Sequence, residues 1–164
     1  MKKNKNNNYF SENEKIDIEK EKKKYENPRS AVIEVLKIAQ KKIGWIDSTA
    51  IFEVSRILNI SSVEVEEIAT FYSQIFRKPV GKNIIRYCDS IVCYIKGYKN
   101  ILKEIKKFLK INTGETTKDN KFTIIPTCCL GYCYKSPVIM INDEIFVDLN
   151  EKKIKKLLNC KKYV

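Results

Sequence analysis

Four of the six cysteines form two closely spaced pairs, and these pairs are the feature of the sequence best suited to chemistry. Cys88 and Cys93 are separated by four residues, and Cys129 and Cys133 by three. Each pair follows a run of β-branched residues that predicts a strand, so the loops after the two strands can converge on one point. Four thiolates at one point form a soft ligand set that suits zinc or an iron–sulfur cluster.

The spacing within the pairs helps to choose between these metals. Structural zinc prefers knuckles with two residues between the thiols, whereas the longer [2Fe–2S] rhomb suits wider loops, and plant-type ferredoxins also use a Cys-x4-Cys pair. Gly131 permits a positive φ between Cys129 and Cys133, which lets backbone N–H groups approach sulfur. The chain has no His, which excludes Cys/His zinc sites and Rieske-type ligation. The spacing favours a cluster, while zinc and unligated thiols stay open.

The residues around these pairs have simpler interpretations. Cys128 directly precedes Cys129, and neighbouring side chains on an extended backbone point to opposite sides, so we expect Cys128 to point into the protein. Cys160, in the last predicted helix, is expected to be a small apolar filler or a partly exposed thiol. A thiol–disulfide oxidoreductase would need a Cys-x-x-Cys motif, which the sequence lacks. Four tyrosines border the cysteine loops, and we expect them to shield the site from water: Tyr87, Tyr94, Tyr132 and Tyr134.

The elements that would position the cysteines lie in residues 81–164. Periodicity and turn residues predict strands at 83–88, at 121–126 and on both sides of Asn142-Asp143, with helices at 97–111 and after Asn150. This is the plan of a small thioredoxin-like β-α-β-β-α domain with a mixed sheet. Ser136-Pro137 precedes a strand at the place where thioredoxin-like folds often keep a cis-proline.

Residues 27–80 are predicted to form a small helical bundle ahead of that domain. Three amphipathic helices begin behind the caps Asn27, Asp47 or Ser48, and Ser61. The third helix aligns Val65, Ile68, Ala69, Tyr72 and Phe76 on one face, and we expect Phe71, Tyr72 and Phe76 in the bundle core. Pro79-Val80-Gly81 ends the bundle, and the fold class is α+β.

Residues 1–26 and the charge of the chain need separate interpretations. Residues 1–26 are rich in Lys, Asn and Glu and too poor in apolar side chains to offset the entropy of ordering, so we expect a basic tail that is disordered or ordered by a partner. The net charge of +12 invites nucleic-acid binding. Only four of the 32 basic residues are Arg, however, and Arg is the residue whose fork matches phosphate. We therefore expect solvated lysine faces and no nucleic acid.

The sequence also bears on location. No apolar run approaches the roughly 18 to 20 residues that a membrane-spanning helix needs, so we expect any membrane association to be indirect. The N-terminus lacks a secretory h-region, and the first 25 residues contain five acidic residues and no Arg, unlike a mitochondrial transit peptide. Cysteine is also too sparse for a disulfide scaffold. These features indicate a bacterial cytoplasm.

Three segments resemble one family. "CDSIVC" after a short strand and "TIIPTCCLGYC" followed by "SPVIMIND" resemble the thioredoxin-like [2Fe–2S] ferredoxin subunit (E-type) of bacterial respiratory NADH:quinone oxidoreductase, complex I. The helical segment "EVSRILNISSVEVEEIATFYSQIF" resembles the N-terminal bundle of that family. The resemblance covers about residues 28–158, although the tail is longer and more basic than we expect for the family.

This resemblance implies a site and partners. The family's ligands to one [2Fe–2S] cluster fall on Cys88, Cys93, Cys129 and Cys133, with Cys128 outside the set. The chain would hold its one-electron centre beside the FMN of a neighbouring NADH-binding subunit, among other peripheral-arm subunits. It would be a non-catalytic subunit of a proton-translocating NADH dehydrogenase, attached to the cytoplasmic side of the inner membrane only through the complex. The alternatives are the equivalent subunit of an NAD-dependent formate dehydrogenase or hydrogenase and, less favoured, a zinc-binding adaptor.

Overall fold

The computed structural model describes residues 9–160 and Tyr163, and the chain divides into two compact units between Pro79 and Val80. The first unit is helical. Its elements are α1 at Glu12–Lys22, a 3₁₀ turn at Pro28–Ala31, α2 at Val32–Ile43, α3 at Ser48–Leu58 and α4 at Ser62–Phe71.

Caps fix the ends of these helices, as the sequence predicts. Asp47 accepts a hydrogen bond from the N–H of Ala50, and Ser61 and Glu64 form a reciprocal capping box ahead of α4. Gly44 ends α2 with a φ of 83°, a left-handed conformation that glycine adopts at little cost. The apolar faces of α2, α3 and α4 meet in a core of buried side chains: Val35, Leu36, Ala39, Ala50, Val54, Leu58, Val65 and Ala69. The predicted three-helix bundle is therefore present.

The prediction of a disordered tail is wrong for the part of residues 1–26 that the structure describes. Helix α1 begins with a capping box between Ser11 and Glu14, and lysine–carboxylate pairs three residues apart follow along its surface. Phe10 and Ile18 are buried in the same core as α2, α3 and α4. Two large apolar side chains thus anchor a segment whose average composition is polar, and average composition does not detect them. Residues 1–8 lie outside the described residues.

The prediction that Phe71 and Tyr72 belong to the bundle core is also wrong. Helix α4 ends at Phe71, and Tyr72 has an extended backbone, so the helical period that placed Tyr72 on the core face does not continue. Phe71 is 80% exposed and Tyr72 42% exposed. Ile75 is buried in the core, and Phe76 is half-buried.

The second unit is a mixed sheet with helices. Its elements are β1 at Asn83–Cys88, α5 at Ile91–Ile95, α6 at Tyr98–Leu109, β2 at Phe122–Thr127, a 3₁₀ turn at Cys133–Lys135, β3 at Ile139–Ile141, β4 at Glu144–Phe146 and α7 at Glu151–Leu158. The strand order is β2-β1-β3-β4. Strand β1 pairs in parallel with β2 and antiparallel with β3, and β3 pairs antiparallel with β4.

This arrangement confirms the predicted α+β class with a mixed sheet. The final β segment of the β-α-β-β-α plan folds as the hairpin β3–β4, because Asn142 turns the chain with a φ of 53°. The sequence predicts a loop at "DSIVC", but α5 forms one turn of helix within it. The unit has a core shared by α6, α7 and the sheet: Ile85, Ile101, Ile105, Ile124, Ile141, Ile154 and Leu158. No helix among the described residues is long and apolar enough to cross a membrane.

Candidate metal centre

The carboxyl ends of β1 and β2 bring the two cysteine pairs to one edge of the sheet. Parallel pairing sets Cys88, the last residue of β1, opposite Thr127, the last residue of β2. The N–H of Asp89 donates to the carbonyl of Thr127 at 3.2 Å, so the two strands leave the sheet side by side. The loop that carries Cys129 and Cys133 therefore starts beside Cys88, as the strand-end argument predicts.

Cys88 and Cys93 form the buried half of the site, each with 2% of its surface exposed. Cys93 lies on α5, and both residues pack against Val138. The N–H of Cys88 donates to the carbonyl of Val138 at 3.2 Å, which ties β1 to the residue just before β3. The Cys93 Sγ lies 3.4 Å from the Oγ of Ser136. These contacts hold the two thiols away from water.

Cys129 and Cys133 form the exposed half of the site. Cys129 is exposed and Cys133 is half-buried, and their Sγ atoms are 3.2 Å apart. Gly131, between them, has a φ of +84°, and its N–H donates to the Cys129 Sγ at 3.4 Å. Because L side chains rarely adopt this φ, the loop that brings the two thiols together depends on glycine.

The four thiols influence one another's protonation. Burial raises the pKa of the Cys88 thiol, but hydrogen bonds outweigh burial, so its pKa lies below the ordinary value. The groups that make these bonds are the N–H of Ser90, the N–H of Leu130, the Cys93 thiol and the Ser90 hydroxyl. Burial raises the pKa of Cys93. A hydrogen bond with Cys129, partial burial and the charges of the other thiols raise the pKa of Cys133. The two halves therefore act as one electrostatic site.

The donor set can be compared with what different metals require. Among residues 9–160 and Tyr163, no three Cys, His, Asp or Glu side chains are placed to hold a single metal ion. The thiols are arranged as two pairs, and two pairs suit a [2Fe–2S] rhomb, in which each iron takes two protein ligands. Backbone N–H groups reach the sulfurs of Cys88 and Cys129, which suits an anionic group. These residues therefore fit a [2Fe–2S] cluster.

The two remaining cysteines are both exposed. The expectation that Cys128 points into the protein is wrong, because the chain has left β2 at Thr127 and the alternation of strand side chains no longer applies. Cys160 follows the end of α7, so of its two expected roles the exposed thiol is the one observed.

The aromatic side chains near the site point outward more than the sequence suggests. Tyr87 is buried and stacks on Tyr98 with ring centroids 5.7 Å apart. Tyr94, Tyr132 and Tyr134 are exposed, and their expected shielding of the site from water stays a prediction. Ile91 and Ile95 on α5 are exposed as well. Both thiol-bearing loops thus present large apolar side chains to solvent, and we call these five residues the exposed rim: Ile91, Tyr94, Ile95, Tyr132 and Tyr134.

Sequence reasoning did not identify two serines that contact the buried thiols. The Ser90 hydroxyl hydrogen-bonds to the sulfur of Cys88, and the Ser136 hydroxyl contacts Cys93. The position of Ser90 just before α5 offered a signal, but that signal is typical of a helix cap. The Ser136-Pro137 peptide bond is cis, as its position before β3 suggests.

Comparison with protein families and curated proteins gives one consistent result. The family of thioredoxin-like [2Fe–2S] ferredoxins matches residues 18–162. The E-type subunit of NADH-quinone oxidoreductase from Buchnera aphidicola (subsp. Acyrthosiphon pisum) is 54% identical over 151 residues, which are 92% of this chain and 93% of that protein. Its counterpart of the same name from Pseudomonas aeruginosa is 51% identical over 92% of this chain and 91% of its own length. The Escherichia coli K12 counterpart is 50% identical over 86% and 85%.

Solved structures share the fold at lower identity. An NAD+-reducing [NiFe]-hydrogenase in its air-oxidized state aligns with a TM-score of 0.68 over 77% of this chain, at 23% identity. The aligned region is 22% of that solved chain. At this identity, the likeness establishes a common fold.

Proposed function

We propose, because the chain belongs to the thioredoxin-like [2Fe–2S] ferredoxin family, that it is the [2Fe–2S] electron-transfer subunit of an NADH:quinone oxidoreductase. The observation that carries this proposal is the meeting of two cysteine pairs at the carboxyl ends of two parallel strands. Four thiolates would hold one cluster: Cys88, Cys93, Cys129 and Cys133.

The contacts of this chain suit a buried anionic group. Four thiolates on two ferric ions and two sulfides leave a net negative charge, and reduction adds one more. Removing such a charge from water is unfavourable unless hydrogen-bond donors replace the water. The N–H groups of Ser90 and Leu130 meet Cys88, and that of Gly131 meets Cys129. A cluster bound here supplies a one-electron centre, and these residues hold it and compensate its charge.

The exposed rim supports the proposal that a protein partner binds at this end of the unit. Ile95 is 72% exposed and Tyr134 76% exposed, and large apolar side chains clustered in this way mark protein interaction sites. The partner is the NADH-binding subunit, which carries FMN. The NADH-binding subunit would take hydride from NADH and pass single electrons to this chain. This chain is not catalytic alone. The chain then reaches the cytoplasmic side of the inner membrane through the peripheral-arm subunits of the complex.

The alternatives have weaker support. An equivalent subunit of an NAD-dependent hydrogenase or formate dehydrogenase would share the cysteine pairs, but the likeness to the hydrogenase is one of fold. The relatives that are 50–54% identical are named as E-type subunits of NADH-quinone oxidoreductase. A zinc-binding adaptor would use the same thiols without sulfide.

Metal and sulfide analysis of the anaerobically purified full chain tests the cluster. We expect a reddish-brown protein with two irons and two sulfides per chain, and a [2Fe–2S] EPR signal after reduction with dithionite. The Cys88→Ser variant should lose the iron. The matched control, Cys160→Ser, should keep it because Cys160 is exposed and outside the proposed ligand set. A colourless protein with one zinc per chain would refute the proposal.

Reduction by NADH tests the partner. The purified chain alone should not be reduced by NADH, whereas its complex with the NADH-binding subunit should be. Membranes that lack their own E-type subunit should regain quinone reduction when this chain is supplied. That restoration would separate this proposal from the hydrogenase and formate dehydrogenase alternatives, which predict no such effect.

A further inference from the structure

Ser136 contacts one of the two buried thiols, that of Cys93. Its Oγ lies 3.4 Å from the Cys93 Sγ and donates to the carbonyl of Cys133 at 2.9 Å. In this arrangement the S–H of Cys93 donates to the serine oxygen. A metal-bound thiol is deprotonated and has no proton to give. The hydroxyl proton can then turn from the carbonyl to the thiolate, because a hydrogen bond to a charged acceptor is the stronger of the two.

Ser136 is half-buried, and the Cys93 sulfur that its hydroxyl contacts belongs to a buried residue. Cys88 and Cys93 are buried, whereas Cys129 is exposed and open to donors from solvent or from a partner. A negative charge in the buried half must be compensated by groups of this chain. Hydrogen bonds to the sulfurs of an iron–sulfur cluster favour the more negative, reduced state and so raise its reduction potential.

We propose that the hydroxyl of Ser136 donates a hydrogen bond to the sulfur of Cys93 in the bound cluster and thereby raises the reduction potential of the cluster. The inference rests on the proposed function, since it requires the cluster. On reduction the cluster gains one electron from reduced flavin or a reducing dye, no covalent bond forms or breaks, and the hydroxyl keeps its proton. Ser136 is a positioning residue that acts through the Cys93 thiolate.

The test is a redox titration of the full chain, followed by EPR. At residue 136, Ser→Thr and Ser→Val form a matched pair, because Thr keeps the hydroxyl and Val has nearly the same shape without it. We expect Ser136→Val and Ser136→Ala to shift the midpoint to more negative values. Ser136→Thr should stay close to the wild type. Ser73→Ala, which removes an exposed hydroxyl in the helical unit, should leave the midpoint unchanged.

The midpoint and the cluster content of the variants either support or overturn the inference. Unchanged midpoints in the Ala and Val variants, or shifts as large in Thr as in Val, would overturn the inference while leaving the proposed function in place. If Ser136→Val and Ser136→Ala lose the cluster and Ser136→Thr keeps it, the hydroxyl is needed for the charged state and the inference is supported. Loss in Ser136→Thr as well would overturn it. A wild-type chain that binds no [2Fe–2S] cluster would overturn the proposed function together with this inference.

Discussion

Replacing Gly131 with valine should weaken cluster binding through the backbone and not through a clash. Gly131 has a φ of +84°, and a Cβ added there would meet no atom within 4 Å. The left-handed conformation costs an L residue about 1–2 kcal/mol, and strained positions of this kind cost about 1–3 kcal/mol. A β-branched side chain belongs at the upper end of this range, because its stiff χ1 leaves fewer ways to relieve the strain.

The loop can respond to this strain in two ways, and both reduce loading. If the loop relaxes in the free chain and cluster binding restores its shape, the strain is subtracted from the free energy of cluster binding. If it stays relaxed in the loaded chain, the Gly131 N–H moves from the Cys129 Sγ, now 3.4 Å away, and the 3.2 Å separation of the Cys129 and Cys133 Sγ atoms changes. A loss of about 1–3 kcal/mol corresponds to a fall of about 5- to 150-fold in affinity for the cluster. In the relaxed case the reduction potential should also fall, because a donor to sulfur is lost.

The second unit offers a matched control for this experiment. Gly114 also has a φ of +84° and open space around its Cβ position. Gly114→Val therefore adds the same kind of strain without touching a thiol. Gly131→Asn should be milder than Gly131→Val, since Asn tolerates the left-handed region. Iron content after reconstitution with limiting iron and sulfide measures loading, and an EPR-monitored titration measures the midpoint.

Two results would contradict this reasoning. The first is a Gly131→Val chain with the iron content and midpoint of the wild type. The second is a Gly114→Val chain that loses as much iron as Gly131→Val, because the loss would then reflect general destabilisation of the unit.

Other outcomes follow from the same structure. Cys128→Ala should keep its iron and Cys129→Ala should not, and equal iron in the two variants would contradict the proposed ligand set. Burial and a hydrogen bond to a carboxylate raise the pKa of Tyr163 to about 12 from 10.0, so the protonated phenol stabilises the fold up to pH 10. About 3 kcal/mol of stability should be lost as the pH rises from 10 to 12, and Tyr163→Phe should flatten that part of the profile in chemical denaturation. Ile18→Ala should destabilise the helical unit by about 2–5 kcal/mol in the same assay, whereas Ile16→Ala, at an exposed position, should have little effect.

Local signals in the sequence predicted helices and strands of both units well. Asp47 and Ser61 begin helices where their side chains cap the backbone, and the β-branched run that ends at Cys88 forms the strand expected of it. Because consecutive parallel strands end at the same edge of a sheet, the convergence of the two cysteine loops also followed from the sequence. The assignment of the four ligands, however, came from the resemblance to a family.

The errors arose where long-range packing decides the outcome. Ile18 is buried although its segment is polar on average, because the core of the bundle receives a single side chain from one turn of α1. Tyr72 fits the helical period, but the helix ends one residue before it. Ser136 precedes a proline, and only the fold shows that its hydroxyl oxygen lies 3.4 Å from the Cys93 sulfur. Such contacts depend on residues distant along the chain, and periodicity does not report on them.

The parallel pairing of β1 and β2 has a consequence for the stability of the second unit. The two strands are neighbours in the sheet, yet α5 and α6 lie between them in the chain. A cluster bound by the proposed ligands would join the end of β1 to the loop after β2 and close this long segment into a covalent ring. A cross-link of this length restricts the unfolded chain by about 4 kcal/mol in the chain-entropy description. The redox centre would therefore also act as a cross-link, and its loss would destabilise the sheet that positions the ligands of the cluster.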